Sequence, residues 1–227
     1  MDSKDTEKRI KELEKKVAVL EDLEAIKRLQ RSYGYYLEHW MYEEVIDCFS
    51  DRPDTTLNIM VGIFLGKEGI KRYFSGEKAR GTNPEVLHQI MQLSGVVDVS
   101  PDGKTAQGRW YGWGAAALPS GKRIMQNLTA GIYTAGYIKE DGKWKIWKLM
   151  WNPVIMADPT KGWVKPERVA AISAEELPPA PRPDKPRDIN TKYPSGYIPP
   201  FHYPHPVTGK KTSERKHNVA LKIKGAE

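Results

Sequence analysis

The chain has 227 residues, 39% of them hydrophobic and 29% charged, which is an ordinary composition for a globular protein with one core. Its net charge is +7, but residues 161–227 hold thirteen basic and seven acidic residues and so carry +6 of that charge. A nucleic-acid-binding protein concentrates its basic residues on a folded face, so this distribution argues against a nucleic-acid partner.

The sequence also indicates a compartment. Its single cysteine, Cys48, excludes an intrachain disulfide and fits a reducing environment. The opening MDSKDTEKRIKELEKK is too charged for a signal peptide, and no run reaches the roughly 18 apolar residues that cross a bilayer. We therefore expect a cytoplasmic protein with no membrane partner.

The first predicted element is a helix over about residues 5–31. Its apolar stripe has an early 3-4-3 spacing that is typical of heptads, with Lys and Glu on the other face. Two interpretations stay open, because the stripe can pair with another subunit or lie on the protein's own core. The stripe consists of Ile10, Leu13, Val17, Leu20, Leu23, Ile26 and Leu29.

A second helical stretch over residues 28–49 is rich in aromatic residues, and it ends at the helix breakers Asp51, Pro53 and Asp54. The following run TLNIMVGIFLG alternates loosely and predicts a pair of short strands. GKEGIKRYFSG then predicts a short helix. Its inward residues are expected to be Ile70, Tyr73 and Phe74.

Two long hairpins are predicted from His88 onward, where the apolar period becomes two. HQIMQLSGVVDVS and TAQGRWYGWGAAA flank a turn that contains Asp102-Gly103, and a second pair of runs flanks Asp141-Gly142. Helices followed by sequential hairpins predict an α+β fold, with the helices packed on one face of an antiparallel sheet.

The last part of the chain is rich in proline, since ten of the 17 prolines fall within residues 178–206. Proline requires extended or turn-like backbone there. Aromatic side chains favour an arm pressed onto a folded surface over a free tail. We divide the chain into an N-terminal helical extension (1–22), a central domain (23–160) and a basic C-terminal arm (161–227). The expected anchors of the arm are Tyr193, Tyr197, Phe201, His202 and Tyr203.

Several chemical motifs are missing from the sequence. It contains no GxGxxG after a strand, no GxxxxGK[ST] and no GxSxG, which argues against nucleotide-binding folds and serine hydrolases. The close pair His202 and His205 has no acidic or cysteine partner nearby, so packing is favoured over metal binding. We expect neither a metal nor a cofactor.

Tyr33, Glu38 and His88 are the residues best suited to acid–base chemistry. Tyr33 and Glu38 are five residues apart, about 140° around a helix, so they do not share one face but can flank a cavity mouth. A carboxylate can orient an imidazole, and a phenol can donate to a developing oxyanion, which together permit proton abstraction next to a carbonyl or phenol. Each residue also has a structural interpretation: a core tyrosine, a solvated helix end and a polar strand start.

Several runs recur in the order of a known family. They are LEDLEAIKRLQRSYGYYLEHWMYEEVIDCF, GKEGIKRYF, His88 ahead of GVVDVSPDGKTAQGRWY, and Tyr137 ahead of DGKWKIWKL. Over about residues 20–155 the chain thus resembles the SnoaL-like branch of the nuclear-transport-factor-2-like superfamily. The resemblance implies a cone-shaped α+β barrel, in which a bent antiparallel sheet wraps around N-terminal helices and is open at one end. The C-terminal arm lies outside it.

The resemblance also implies chemistry. The family includes scytalone and bile-acid dehydratases, ketosteroid isomerases, polyketide cyclases and a cofactor-free diarylpropane deformylase. Its dehydratases use a Tyr, an acid five residues later and a strand His, positions that Tyr33, Glu38 and His88 match. This implies that His88 is the general base, Glu38 orients it and Tyr33 donates a hydrogen bond. The chain departs in two ways: Glu38 replaces the usual Asp, and a further acid would fall near Tyr111.

We therefore predict a cofactor-independent lyase, acting by dehydration or C–C cleavage on a hydrophobic, hydroxylated aromatic or polycyclic molecule. An isomerase or cyclase, a non-catalytic binding protein and an assembly protein remain alternatives. We also expect a homo-oligomer, a dimer or trimer formed through the sheet, the N-terminal helix and the arm. Strand alternation places Tyr111 and Trp113 on one face and Trp110 on the other. The residues predicted to contact substrate are Tyr36, Arg109, Trp110, Tyr111, Trp113 and Asn127.

Overall fold

The computed structural model describes residues 3–78, 86–120, 123–162, 182–187, 189, 191 and 199–211. In the described residues two helices precede two short strands, a third helix follows them, and four long strands come last. The helices are α1 (Ser3–Glu38), α2 (Tyr42–Asp47) and α3 (Gly66–Lys78). The strands are β1 (Thr56–Ile59), β2 (Gly62–Leu65), β3 (Leu87–Val99), β4 (Thr105–Ser120), β5 (Arg123–Glu140) and β6 (Lys143–Ala157).

Helix α1 differs from the sequence prediction, because it runs without a break through the position where two helices were expected to meet. Gly34 lies inside this helix where the helix passes close to β3. A Cβ at position 34 would lie only 2.7 Å from Cγ of Gln92, so glycine permits the close approach. The helix ends at Glu38, and Trp40 then adopts a left-handed φ of 59°. None of the helices in the described part of the chain is both long and apolar enough to span a bilayer.

The sheet has the strand order β2-β1-β6-β5-β4-β3 and is not closed. Both predicted long hairpins are confirmed, and Asp141 and Gly142 have φ of 48° and 74°, as a tight hairpin turn requires. The pairing of β1 with β6 is parallel, so the sheet is mixed where an antiparallel one was predicted. The α+β class is confirmed.

The core lies between the helices and one face of the sheet, which we call the inner face. Ile70 and Phe74 of α3 are buried there and Tyr73 packs against them, as predicted. Cys48 is also buried, and burial raises the pKa of its thiol to about 12. A thiol with that pKa is inert at neutral pH, so Cys48 is a packing residue.

The described part of the C-terminal arm packs against the sheet. The amide of Ile63 in β2 donates to the carbonyl of Lys185 at 2.8 Å, and the carbonyl of Ile63 accepts from the amide of Asp184 at 2.9 Å. Residues 182–187 therefore cover the β2 edge of the sheet. The predicted anchors Tyr193 and Tyr197 lie outside the described residues.

A second part of the arm, residues 199–211, lies on the outer face of the sheet. Nη1 of Arg109 donates to the carbonyl of Pro199 at 2.9 Å, and its guanidinium lies 4.2 Å from the ring centroid of Phe201. Nε2 of His202 lies 3.1 Å from Oδ2 of Asp98. His202 thus has an acidic partner that the sequence around it did not indicate. The described residues contain no group of three or more His, Cys, Asp or Glu that could hold a metal ion.

Candidate active site

A cavity of about 120 Å³ lies between the helices and the inner face of the sheet. Its wall is mainly aliphatic and aromatic, and among the described residues that line it there is no Asp, Glu, Lys or Arg. His88, Asn127 and Thr129 contribute an imidazole, an amide and a hydroxyl, and Tyr33 and Tyr133 contribute phenols. An apolar cavity with a few convergent polar groups is the usual form of a small-molecule site.

The strand register places the polar groups of the cavity in a row. His88 of β3 pairs with Ala116 of β4, which pairs with Asn127 of β5. Neighbouring strands are about 4.8 Å apart, so the Cα atoms of His88 and Asn127 are about 10 Å apart. The small Ala116 between them leaves open the space into which both side chains project.

Two glycines of β4 allow close packing beside this space. A Cβ on Gly114 would overlap the carbonyl oxygen of Gln89, and one on Gly112 would overlap the indole of Trp151. Glycine therefore lets β3 approach β4 closely and lets Trp151 lie flat over the strand. Of the small residues Gly112, Gly114 and Ala116, only Ala116 lines the cavity.

His88 is neutral in this site. Burial lowers the pKa of its imidazole from 6.5 to about 4. Its Nδ1 atom is buried and has no hydrogen-bond partner among the described residues. The ring meets the indole of Trp40 edge-on, with centroids 5.7 Å apart. The left-handed backbone of Trp40, which is unusual for a bulky residue, holds the indole there.

Tyr33 contributes a phenol that stays protonated. Its ring is buried and meets Phe49 edge-on at a centroid distance of 5.9 Å. Burial, together with the neighbouring phenols of Tyr133 and Tyr73 and the thiol of Cys48, raises the pKa of Tyr33 well above its usual value. A neutral phenol with so high a pKa acts as a hydrogen-bond donor and a poor acid.

Glu38 does not lie in the cavity, and it does not contact His88. Its Oε1 atom accepts a hydrogen bond from Nε2 of Gln89 at 2.9 Å. Gln89 follows His88 on β3 and so points to the opposite face of the strand. The 140° between Tyr33 and Glu38 turns the carboxylate away when Tyr33 faces inward, and the structure therefore contradicts the predicted Glu38–His88 pair.

The position of Glu38 outside the cavity predicts that its substitution has little effect on activity. Glu38→Gln is expected to change kcat/KM less than threefold, because the carboxylate touches neither the cavity nor His88, and to shift stability by less than about 0.5 kcal/mol. Steady-state kinetics and thermal melts measure both, with Gln89→Ala as the matched removal of the same hydrogen bond. A hundredfold loss of activity in Glu38→Gln alone would show that the carboxylate reaches the imidazole during turnover.

Most of the predicted substrate-contacting residues also lie outside the cavity, and Asn127 alone lines it. Tyr111 and Trp113 are 59% and 43% exposed on the outer face. Arg109 faces the same side, where it binds the arm. Trp110 is on the inner face, as alternation predicted, but its indole N–H donates to Tyr137 at 3.0 Å beneath the cavity. Tyr36 packs against the core without lining the cavity.

Several residues that line the cavity were not predicted from the sequence. Thr129 and Tyr133 are on the inner face of β5, two and six residues after Asn127, and could have been found from the alternation that identifies Asn127. Trp151 packs on Tyr133 with ring centroids 4.3 Å apart. Trp40 gave no such signal, because its placement depends on the backbone conformation after α1.

Comparisons with known proteins agree with this architecture. The profile of the SnoaL-like domain matches residues 18–150. A candidate aromatic ring hydroxylase from Novosphingobium aromaticivorans is 19% identical over 63% of this chain and 96% of its own, with a TM-score of 0.53. A candidate scytalone dehydratase from the same organism is 18% identical over 69% and 97%, with a TM-score of 0.52.

A third similar structure is the hexachlorocyclohexane dehydrochlorinase LinA-type3 from Novosphingobium barchaimii. It is 18% identical over 66% of this chain and 99% of its own, with a TM-score of 0.51. At these identities the three likenesses establish a shared fold.

Proposed function

Because the chain belongs to the SnoaL-like domain family, we propose that it is a cofactor-independent lyase acting on a small, hydroxylated, apolar molecule. The observation that carries the proposal is the buried, unpartnered Nδ1 of His88 in an apolar cavity. Buried polar atoms without partners are few in folded proteins and cost free energy. A ligand hydroxyl that donates to Nδ1 would remove this cost. In a turnover complex the free lone pair of the same nitrogen could instead take a proton from a carbon of the substrate.

The size of the cavity supports a single-ring substrate. A cavity of roughly 150 Å³ lined by apolar side chains accepts benzene, and this one measures about 120 Å³. A polycyclic molecule would require α1, α2 or α3 to move away from the sheet. Of the two substrate sizes expected from the sequence, we therefore propose the smaller.

The reaction follows from the groups that face the cavity. The imidazole of His88 removes a proton from a carbon next to the carbonyl or phenol of the substrate, and the electrons of the C–H bond form a new double bond. The C–O bond to the leaving group breaks, and the imidazolium gives its proton to the departing hydroxide, which leaves as water. The protonated phenol of Tyr33 donates a hydrogen bond to the negative charge that develops on the substrate oxygen.

No carboxylate among the described lining residues lies beside His88, and this supports a second function. An imidazole that no carboxylate polarises, with a pKa of about 4, is a weak general base. A non-catalytic binding protein needs only the cavity and the hydrogen-bonding groups, and this fold supports many unrelated functions. The alternative is therefore a protein that binds the same class of molecule without converting it.

One experiment separates the two functions. The purified protein is incubated with a panel of single-ring hydroxylated carbonyl compounds and phenols, with hydroxylated steroids as polycyclic members, and products are identified by mass spectrometry. A single-ring compound that loses water supports the lyase. A ligand-induced rise in melting temperature without product supports the binding protein. Conversion of the steroids alone would contradict the proposed substrate size.

The pKa of His88 predicts the pH dependence of the reaction. Protonation inactivates a general base, so kcat/KM is expected to stay constant from pH 8 to about 5 and to fall only near pH 4. The stability of the folded protein is also expected to decrease at low pH. The unfolded state binds a proton at its ordinary pKa of about 6.5, so the free energy of unfolding falls as pH decreases from 6.5 to 4. His88→Gln is expected to reduce that fall, and an acid limb near pH 6.5 would contradict the buried imidazole.

A further inference from the structure

The first nineteen described residues of α1 include no buried residue. Every residue from 3 to 21 is exposed, and the first buried residue is Asp22. Its carboxylate accepts hydrogen bonds from Lys139 and from the indole of Trp144, both at 2.7 Å, and so fixes the helix to the turn between β5 and β6. At 1.5 Å per residue, about 28 Å of helix extends beyond this point.

The exposed part of α1 carries an apolar stripe that faces away from the side of the helix that packs on the central domain. The buried face of the helix is marked by Ile26, Gln30 and Tyr33. At 100° per residue, the mean direction of the stripe lies roughly 150° around the helix from that face. The stripe consists of Ile10, Leu13, Val17 and Leu20, which are 50–65% exposed. The neighbouring Val19 is 45% exposed. The central domain therefore cannot cover it, and the single stripe expected from the sequence is in fact two.

The residue types in the stripe select a particular partner. Ile10 and Val17 occupy the a positions of two heptads, and Leu13 and Leu20 occupy the d positions. β-branched residues at a, combined with leucine at d, favour two parallel strands over three or four. The stripe is thus complementary to a second copy of itself.

The flanking charges specify the same arrangement. The g positions hold Arg9 and Lys16, and the e positions hold Glu14 and Glu21. In a parallel pair each g residue faces the e residue of the next heptad, which places Arg9 against Glu14 and Lys16 against Glu21 of the second copy, twice by symmetry. An antiparallel pair would set basic residues against basic and acidic against acidic.

We propose that residues 3–23 of two chains form a parallel, two-stranded coiled coil that joins two cavity-bearing domains. The helix is continuous with the anchored part of α1, so its first turn does not have to nucleate in isolation. Two heptads bind weakly, and the exposed outer face of β3 and β4 offers another contact between chains. The test therefore has to report on the position of the helix and not on subunit number alone.

Disulfide trapping gives such a test. In a chain where Cys48→Ala removes the native thiol, Leu13→Cys places a cysteine at a d position, next to its equivalent in a parallel coil. Lys15→Cys is the matched control, because position f points away from the partner. We expect at least tenfold faster formation of disulfide-linked dimer for Leu13→Cys under mild oxidation, with unchanged melting curves. Equal rates would overturn the proposal.

Charge reversal tests the orientation. Added to Leu13→Cys, either Arg9→Glu with Lys16→Glu, or Glu14→Lys with Glu21→Lys, is expected to slow cross-linking at least fivefold. Mixing the two variants, or combining all four reversals in one chain, is expected to restore the rate. Cross-linking that ignores the charges, or a fourfold variant that stays slow, would overturn the parallel pairing. Neither outcome depends on whether the cavity is catalytic.

Discussion

Replacement of His88 by Gln is expected to lower kcat/KM by about 10²–10⁴-fold for any compound of the panel that the protein converts. General-base catalysis contributes a factor of that size, and no Asp, Glu or Lys among the described residues lines the cavity to take the proton instead. Glutamine keeps a hydrogen-bonding side chain of similar length, so binding and melting temperature are expected to change little. Stopped assays with product detection by mass spectrometry measure the effect.

A second histidine provides the control. His39 is exposed next to the end of α1, and its Nδ1 lies 2.8 Å from the carbonyl oxygen of Tyr35, outside the cavity. His39→Gln is therefore expected to retain full activity. If His88→Gln keeps turnover with an unchanged melting curve, His88 is not the base. If it binds ligand as the parent does and neither protein forms product, the binding function is supported.

The sequence contains enough information to predict the sheet, because each long hairpin combines two-residue alternation with its own turn. Asp141 and Gly142 adopt the positive φ that such a turn needs, whichever residues surround it. The parallel contact between β1 and β6 was not predictable in this way. It joins strands that are about 90 residues apart, and it depends on how the intervening chain packs.

The candidate site was predicted only in part, because the sequence indicates the direction of some side chains and not of others. His88 and Tyr33 line the cavity as expected, because one faces inward by strand alternation and the other by the helical period. Glu38 was grouped with them by residue type and by resemblance to family members with Asp at that position. The direction of its carboxylate depends on its bond to Gln89 at the last turn of α1, which no periodicity encodes.

The aromatic residues of β4 show the same limit. Alternation separates Trp110 from Trp113 correctly, but it cannot tell an indole that lines a cavity from one that is buried beneath it. Trp110 lies against Gly95, where a Cβ would overlap the indole ring. The irregular pairing after Leu93, with Ser94 at a φ of 49°, makes that approach possible. Its role is therefore decided by a bulge in the neighbouring strand.

Trp110 belongs to a buried chain of hydrogen bonds that joins α1 to three strands. Its indole donates to the phenol oxygen of Tyr137 at 3.0 Å, and Tyr137 donates to Oε1 of Gln30 at 2.7 Å. Nε2 of Gln30 then donates to Oε1 of Gln92 at 2.8 Å. The side chains of Trp110, Tyr137 and Gln30 are almost completely buried, so loss of one member leaves the next without a partner.

Trp110→Ala is accordingly expected to lower the free energy of unfolding by about 3–5 kcal/mol, the range for removing a large buried aromatic side chain. That is a large fraction of the roughly 5–15 kcal/mol that stabilises a typical domain. Tyr137→Phe, which keeps the ring but leaves the N–H of Trp110 and Oε1 of Gln30 unpaired, is expected to cost about 1–3 kcal/mol. Urea unfolding at neutral pH measures both.

Trp113→Ala is the matched control, because the same residue type lies three positions along β4 on the exposed outer face. Its expected cost is below about 1 kcal/mol. Ligand affinity of Trp110→Ala, measured where the variant is still folded, is expected to stay within a few fold of the parent, since the indole does not line the cavity. A large loss of affinity at unchanged stability would instead make Trp110 part of the cavity wall, and the hydrogen-bond chain would then serve the ligand and not the fold.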